Sequence, residues 1–324
     1  MRVLRVSPAG DEYEAGLEEA PVPDAAPGEV LVRVSASGVN RADLSQIAGR
    51  YPPPAGEPEV LGLEISGTIE GTGERVCALL AGGGHAEYAA VPEGQIFPAP
   101  ASLDEIHAAA IPEAWITAFL NLVVEGGLAS GGRALVHAGA SGVGLAAIAT
   151  AKLLGASAAA TTRTAAKLEA IRAAGADLAI DTRREDFAEA IEKAWGTNSV
   201  DLVLDPVGAD TLAGDLRVLS IGGTVVFLAT MSGAKAELDV ARLMGKRARL
   251  IGSTLRSRPR TEKAGLVARF RKEILPAFDA GKLAVAIDSV YPPERAAEAF
   301  ARMKRNENAG KIVIDWTGAA GGHA

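Results

Sequence analysis

Ala134-Leu-Val-His-Ala-Gly-Ala-Ser-Gly-Val-Gly-Leu-Ala-Ala-Ile148 is the stretch on which the reading of this chain turns. An apolar strand runs into a turn of small residues and on into an apolar helix. Gly139, Ser141 and Gly144 hold the three positions of a G-x-S-x-x-G fingerprint, with Ala140, Gly142 and Val143 between them. Small residues let a backbone approach a pyrophosphate. The helix start supplies unpaired N–H groups and the positive end of the dipole. Two rival readings fail at single residues. A P-loop needs Lys where Leu145 stands, and a hydrolase elbow, G-x-S-x-G, needs Gly where Val143 stands. The elbow also needs a later His, and only His323 follows Ser141.

Around this turn the same rhythm repeats. Apolar β-runs occur at Ala134–Ala138, Ala156–Thr161, Asp177–Ile180, Asp201–Asp205, Thr224–Ala229 and Arg249–Ser253, with helical patterns between them. Thr164 stands where a helix cap is expected. Six strands with helical crossovers predict a doubly wound, six-stranded parallel sheet, hence an α/β chain with a dinucleotide-binding (Rossmann) domain. Upstream, short β-runs such as Glu29–Ser35, Gly67–Glu70 and Ala86–Val91 alternate with Pro and Gly, predicting a small, mainly antiparallel β-domain. Downstream come a helical stretch at Leu266–Ala280, Ser289-Val-Tyr291, a capped helix at 293–305 and a last strand, Lys311–Trp316. This tail is expected to rejoin the β-domain. The expected division is 1–118 with 262–324, around a nucleotide-binding insertion at 119–261. The residues from Thr317 on, rich in Gly and Ala, are expected to fray.

The chain has 324 residues, which at about 150 per domain suits two domains. Its net charge of −7, with no basic cluster, argues against a nucleic-acid partner. The longest apolar stretch, Val143 to Ala151, is far short of the ~20 residues of a membrane span. With one cysteine and no signal-peptide pattern, the expected compartment is the cytoplasm.

The cofactor is read at the end of the second strand. NAD enzymes usually place an acid about 20 residues beyond the glycines, on the ribose 2′-hydroxyl. Here stand Thr161, Thr162, Arg163, Thr164 and then Lys167. Thr162 offers a hydroxyl, and Arg163 and Lys167 two cations, to a 2′-phosphate, so NADPH is expected; the bland alternative makes the two cations ordinary surface charges. Cys77, His85, His107, His137 and His323 form no metal-ligand spacing, so no metal site is expected. Without a Lewis acid, the hydride acceptor must be electrophilic on its own, as a quinone is, and an enone less so.

Several further motifs resemble a family. Asn40-Arg-Ala-Asp43, Gly49-Arg-Tyr-Pro-Pro-Pro54, Leu61–Gly67, Ala78–Gly84, Ile111-Pro-Glu-Ala-Trp-Ile-Thr-Ala-Phe119, His137–Gly144, Asp201–Asp205, Ser253–Arg258 and Gly310–Ile314 cover nearly the whole chain. They are similar to the zinc-free medium-chain dehydrogenase/reductases, the zeta-crystallin-like NADPH:quinone oxidoreductases. The branch they resemble most is the tumour-suppressor-inducible one. The resemblance implies a GroES-like catalytic domain, a Rossmann domain, a cleft between them, a small-molecule quinone substrate and a homodimer joined at Arg249–Thr254. Zinc-dependent relatives carry Cys and His where Ser37 and Leu63 stand here.

It further implies that Asn40 and Tyr51 line the substrate site. Thr117 would lie beside the nicotinamide and Lys311 near the cofactor, with Arg258, next to Ser257, a further candidate there. Each has a plainer alternative: Asn40 as a cap before 42–48, Tyr51 as loop packing. Trp115 is expected in interdomain packing, His85 on a surface loop, Glu64 as a structural partner and Cys77 as a small buried hydrophobe. The chain departs from the family between Gly67 and Arg75, where it is several residues shorter, and at Thr182, where a Tyr is usual. The competing functions are a 2-alkenal or enoyl reductase on the same scaffold, and an NADPH-binding protein without catalysis.

Overall fold

The computed structural model describes residues 1–318; of the end expected to fray from Thr317 on, residues 319–324, His323 among them, lie outside the described residues. Two units can be described, one formed by Met1–Ile116 with Leu255–Ala324, the other by Thr117–Thr254. The divisions expected from the sequence, 118/119 and 261/262, lie two and seven residues further along the chain.

In the first unit, β1 (Arg2–Ala9) and β2 (Glu12–Glu19) form an antiparallel hairpin. A separate sheet is built on β3 (Glu29–Val39), with β4 (Glu64–Ile69), β5 (Arg75–Leu79), β6 (Tyr88–Pro92) and β7 (Ile96–Pro98). The short segment after Gly67 closes as a tight hairpin. Thr68 pairs with Arg75, and Gly73 N–H donates to Ile69 O at 2.9 Å.

The second unit holds β8 (Arg133–Val136), β9 (Ser157–Thr162), β10 (Leu178–Asp181), β11 (Val200–Asp205), β12 (Leu219–Phe227) and β13 (Arg249–Gly252). All six expected runs are strands, within a few residues of their expected ends. Their pairings are all parallel, in the order β10-β9-β8-β11-β12-β13. That is the 3-2-1-4-5-6 order of a doubly wound sheet. The strands are apolar almost end to end because helices cover both faces; Ala158, Ala159, Ala160, Leu135 and Val203 have no solvent exposure. The order reverses between β8 and β11, so the glycine turn leaving β8 stands at the switch point, where such sheets bind ligands.

The chain then returns to the first unit through helices Arg260–Glu273 and Pro276–Asp279. Next come β14 (Ile287–Tyr291), helix Ala296–Lys304 and β15 (Lys311–Asp315). β15 pairs antiparallel with β3, Ile312 opposite Val39, and carries Lys311 into the sheet beside Asn40. Val32, Val39, Ile65, Val91, Phe300, Ile312 and Ile314 fill the core under that sheet.

Candidate functional site

Backbone sterics shape the turn after β8. Ala138 adopts φ 50°, and Gly139 N–H donates back to Thr161 O of β9 at 2.8 Å. A Cβ on Gly139 would come 2.7 Å from Ala160 Cβ; one on Gly144 would come 2.6 Å from the carbonyl oxygens of Ala138 and Gly139. Gly144 is therefore required for the helix Gly142–Leu153 to start this close to the strand end. Ser141 caps that helix: its Oγ accepts from Gly144 N–H at 3.0 Å and keeps its own hydrogen to donate. Gly142 and Val143 open the helix with N–H groups that have no acceptor among the described residues. The turn thus presents amides, a hydroxyl and a dipole end, a set that fits a pyrophosphate.

Beneath the turn, His137 is locked from both sides. Its Nδ1 lies 2.9 Å from Thr161 Oγ1 and its Nε2 2.8 Å from Asp215 Oδ1. Burial pushes the Asp215 carboxyl up to about 6, against the pull of His137. Burial works to lower the imidazole pKa, but Asp215 outweighs it and the net shift is upward.

Thr162, at the end of β9, is buried, and its Oγ1 accepts from Thr164 N–H at 3.2 Å. Thr164 itself makes no side-chain cap to the short 3₁₀ turn Ala165–Lys167, contrary to the expectation from sequence. Arg163 is exposed with no partner among the described residues, while Lys167 is half-buried. Thr182, in place of the usual Tyr, joins β10 to β9 by donating through its N–H to Thr162 O at 2.9 Å. Thr117 opens this unit at the end of helix Pro112–Phe119, where the chain passes into a π-helical segment, Leu120–Glu125. Asn121 Nδ2 donates to its carbonyl at 2.8 Å. Such segments recur at functional sites, and sequence periodicity gave no sign of this one.

In the first unit, Asn40, Lys311, Glu64, Asp43 and Glu113 come together. Asn40 does cap the helix Arg41–Ile47, its N–H donating to Asp43 Oδ2 at 2.7 Å. Its side chain is engaged elsewhere: Nδ2 donates to Glu64 Oε1 at 2.9 Å and Oδ1 accepts from Lys311 at 2.7 Å. Lys311 Nζ also donates to Val39 O at 3.0 Å and is ion-paired with Glu64 Oε1. All three of its N–H donors are spoken for, which leaves none for the cofactor contact the resemblance implied. Asn40 likewise has no idle amide atom to offer a substrate. Glu64, with no solvent exposure, is the structural partner of backbone or Arg that was expected: it accepts from the Glu113 backbone N–H, and its cation is Lys311 rather than an Arg.

Tyr51 is half-buried and its hydroxyl has no hydrogen-bond partner among the described residues. Arg256 positions it: the guanidinium lies 5.3 Å from the ring centre, and Nη1 donates to Tyr51 O at 3.0 Å. The same side chain reaches Ala81 O at 2.7 Å and Gln46 Oε1 at 2.7 Å. Sequence reasoning passed over Arg256. It named Arg258, which faces Glu262 at 3.5 Å.

Glu113 was passed over as well. Its N–H donates to Glu64 Oε2 at 2.8 Å, but its own Oε2 is sealed from solvent with no partner. Burial, then the neighbouring charge of Glu64, pushes its carboxyl up to about 8. Burial, followed by the charge of Glu113, also raises the Tyr51 phenol. The sequence did contain a signal: Glu113 is the one charge in the apolar run Ala108–Phe119.

Two bland expectations come out differently. His85 is fully buried rather than on the surface, its Nδ1 2.8 Å from Ser37 Oγ, and Ser37 also accepts from Trp316 Nε1 at 2.9 Å. Trp115 packs edge-on against Phe278 of its own unit, ring centres 4.8 Å apart. Cys77 is buried as expected, and that burial pushes its thiol well above the ordinary range. Leu63 is buried, and no group of three or more His, Cys, Asp or Glu among the described residues could hold a metal ion. No helix among the described residues is long and apolar enough to cross a membrane.

Comparison with known proteins gives matches at both levels. Residues 26–101 match the alcohol dehydrogenase GroES-like domain and residues 142–272 the zinc-binding dehydrogenase family. The quinone oxidoreductase of Lama guanicoe is 30% identical over 97% of this chain and 97% of its own. The quinone oxidoreductase of Thermus thermophilus, solved alone and with NADPH, is 31% identical with a TM-score of 0.84, covering 97% of this chain and all of that one (100%). A mycobacterial protein solved with NADPH is 28% identical with a TM-score of 0.85, covering 97% and 99% of the two chains. A GroES-like domain, a doubly wound sheet and full-length likeness at this level agree: the chain belongs to the quinone oxidoreductases of the medium-chain dehydrogenase/reductase family.

Proposed function

We propose that this oxidoreductase reduces quinones with NADPH, without a metal. The observation that carries the reading is the glycine turn with its open amides, paired with a strand end that bears Arg163 and no acid. The relatives named quinone oxidoreductase, one of them solved with NADPH, support it. Bound NADPH supplies a hydride to the electrophile. Gly142, Val143 and the Ser141 hydroxyl hold the pyrophosphate, with Gly139, Ala140 and Gly144 shaping the turn. Thr162, Arg163 and Lys167 hold the 2′-phosphate, and Thr117 orients the nicotinamide. Tyr51, held by Arg256, offers an apolar ring and a free hydroxyl to the quinone. Asn40 and Lys311 act by fixing the frame around Glu64. Ser37 and Leu63, one engaged by His85 and Trp316 and the other apolar, supply no metal ligands, which supports the metal-free reading. Arg258 is retained as a peripheral cofactor contact.

Two measurements test the reading. Dissociation constants for NADPH and NADH should differ at least tenfold in favour of NADPH, and equal values would refute the 2′-phosphate assignment. The kcat/KM for 1,4-benzoquinone should exceed that for a 2-alkenal; the reverse order would move the assignment to enone reduction. The same reading expects a homodimer joined along β13, an edge strand carrying half-buried Leu250 and Ile251, with Met244 nearby in sequence 71% exposed. Light scattering should give twice the chain mass.

A further inference from the structure

Transfer of hydride leaves the reduced product one proton short, and neither Asn40 nor Tyr51 is arranged to make that good. Asn40 has no acidic hydrogen, and the Tyr51 phenol is displaced to still weaker acidity. Among the carboxyl groups gathered here, two are committed. Asp43 accepts from Asn40 N–H at 2.7 Å and from Gly62 N–H at 3.2 Å. Glu64 holds Lys311, Asn40 and the Glu113 N–H. Glu113 alone makes no side-chain hydrogen bond to a described residue, although its Oε2 is buried and the residue as a whole is only half-buried. A carboxylate in that position would be an unpaired buried charge facing two further carboxylates, whereas a carboxylic acid is tolerated. The cations around it are engaged elsewhere: Lys311 on Glu64, and Arg256 on Ala81, Tyr51 and Gln46. A neutral carboxyl beside Tyr51, buried at one end and reachable at the other, is suited to give up a proton once negative charge appears in front of it.

We propose that Glu113 is the proton donor of the reduction, the general acid that completes the product after hydride arrives. The inference rests on the quinone reductase reading above. Hydride carries an electron pair and one hydrogen from the reduced nicotinamide, which is thereby oxidised, and the quinone becomes a hydroquinone monoanion. The Glu113 O–H bond breaks and a new O–H bond forms at the phenolate oxygen. Water returns a proton to the glutamate, and no other oxidant or reductant takes part. The groups facing Glu113 are Glu64, Asp43, Lys311, Arg256 and Tyr51. With the acid form held up to about 8, turnover should fall as pH rises through that value.

The test compares wild type, Glu113→Gln and Glu113→Asp, with 1,4-benzoquinone as electrophile. Glu113→Gln should lower kcat roughly 10²-fold, at the low end of general-acid effects, and abolish the high-pH limb. Its NADPH dissociation constant should stay within twofold of wild type. Glu113→Asp should keep a limb and part of the rate. Infrared spectra of the cofactor-free protein at pH 7 should contain a protonated-carboxyl band that Glu113→Gln lacks and that fades above pH 8, a readout independent of turnover. A Glu113→Gln enzyme with unchanged kcat and an intact limb would overturn the proposal while leaving the quinone reading in place. So would the absence of that band from wild type, whatever the variants do. A wild type that binds NADPH but reduces no quinone would fail the underlying reading, and the proposal with it.

Discussion

Replacing Lys311 with Met tests whether this lysine holds the first unit together or holds a cofactor. Lys311 is about 4% exposed and its three donors reach Val39 O, Asn40 Oδ1 and Glu64 Oε1. Methionine is similar in length and apolar, so little volume is lost. What changes is electrostatic: the Glu64 carboxylate, with no exposure, keeps only Asn40 Nδ2 and Glu113 N–H. Breaking one side of a buried pair costs about 3–5 kcal/mol, and the stranded Asn40 Oδ1 adds about 1–3 kcal/mol. For a unit of this size each kcal/mol lowers Tm by roughly 2–4 °C, so a drop on the order of 10 °C or more is expected. Thermal melts and urea titrations read it directly. The double variant Lys311→Met with Glu64→Gln should recover much of the loss, since no buried charge is then stranded. NADPH affinity, measured below the melting range, should change by less than about threefold. A melting point within about 2 °C of wild type would refute the reasoning. So would a tenfold loss of NADPH affinity in a well-folded Lys311→Met protein, which would return this lysine to the cofactor.

Three other perturbations separate the remaining roles. Glu113 is held up to about 8, above the ordinary 4.5, so the folded chain keeps a proton that the unfolded chain releases between those values. Stability from this group is fully present below pH 4.5 and is lost as pH rises through about 8, by at most about 5 kcal/mol; urea midpoints of Glu113→Gln should lack that decline. Gly144→Ala places a Cβ 2.6 Å from two carbonyl oxygens of the turn, so NADPH binding should weaken at least about tenfold while circular dichroism stays native. Arg163→Glu would remove the charge-assisted contact proposed for the 2′-phosphate, a class of contact worth about 1.5–3 kcal/mol, so titration calorimetry should show NADPH affinity falling roughly 10- to 100-fold with NADH affinity little changed.

The parts of this molecule that could be read from the chain are those whose causes are local. The turn from Gly139 to Gly144 declares itself because close backbone approach there excludes a Cβ, and β8 through β13 because strands covered on both faces need uninterrupted apolar runs. Family motifs pointed to Asn40, Tyr51 and Lys311, yet not to the bonds that join Asn40 and Lys311 to Glu64. Lys311 meets Asn40 across 271 positions and Glu64 across 247, and no local pattern encodes such a meeting. The same holds for His85, read as a surface residue because glycines precede it, although Ser37 and Phe300 enclose it from distant segments. Glu113 was missed because the property that matters, a carboxyl buried without a partner, exists only after folding. Arg256 was overlooked in favour of Arg258 because two arginines in one motif differ only in what the fold brings to them. Its partners, Gln46, Tyr51 and Ala81, all lie at least 175 positions away.

The most direct measurement is steady-state oxidation of NADPH by the purified chain with 1,4-benzoquinone, in the presence of a strong metal chelator. The account predicts saturable turnover well above the uncatalysed background, undiminished by the chelator and weaker when NADH replaces NADPH. No oxidation above background, or turnover that the chelator abolishes and added zinc restores, would contradict it.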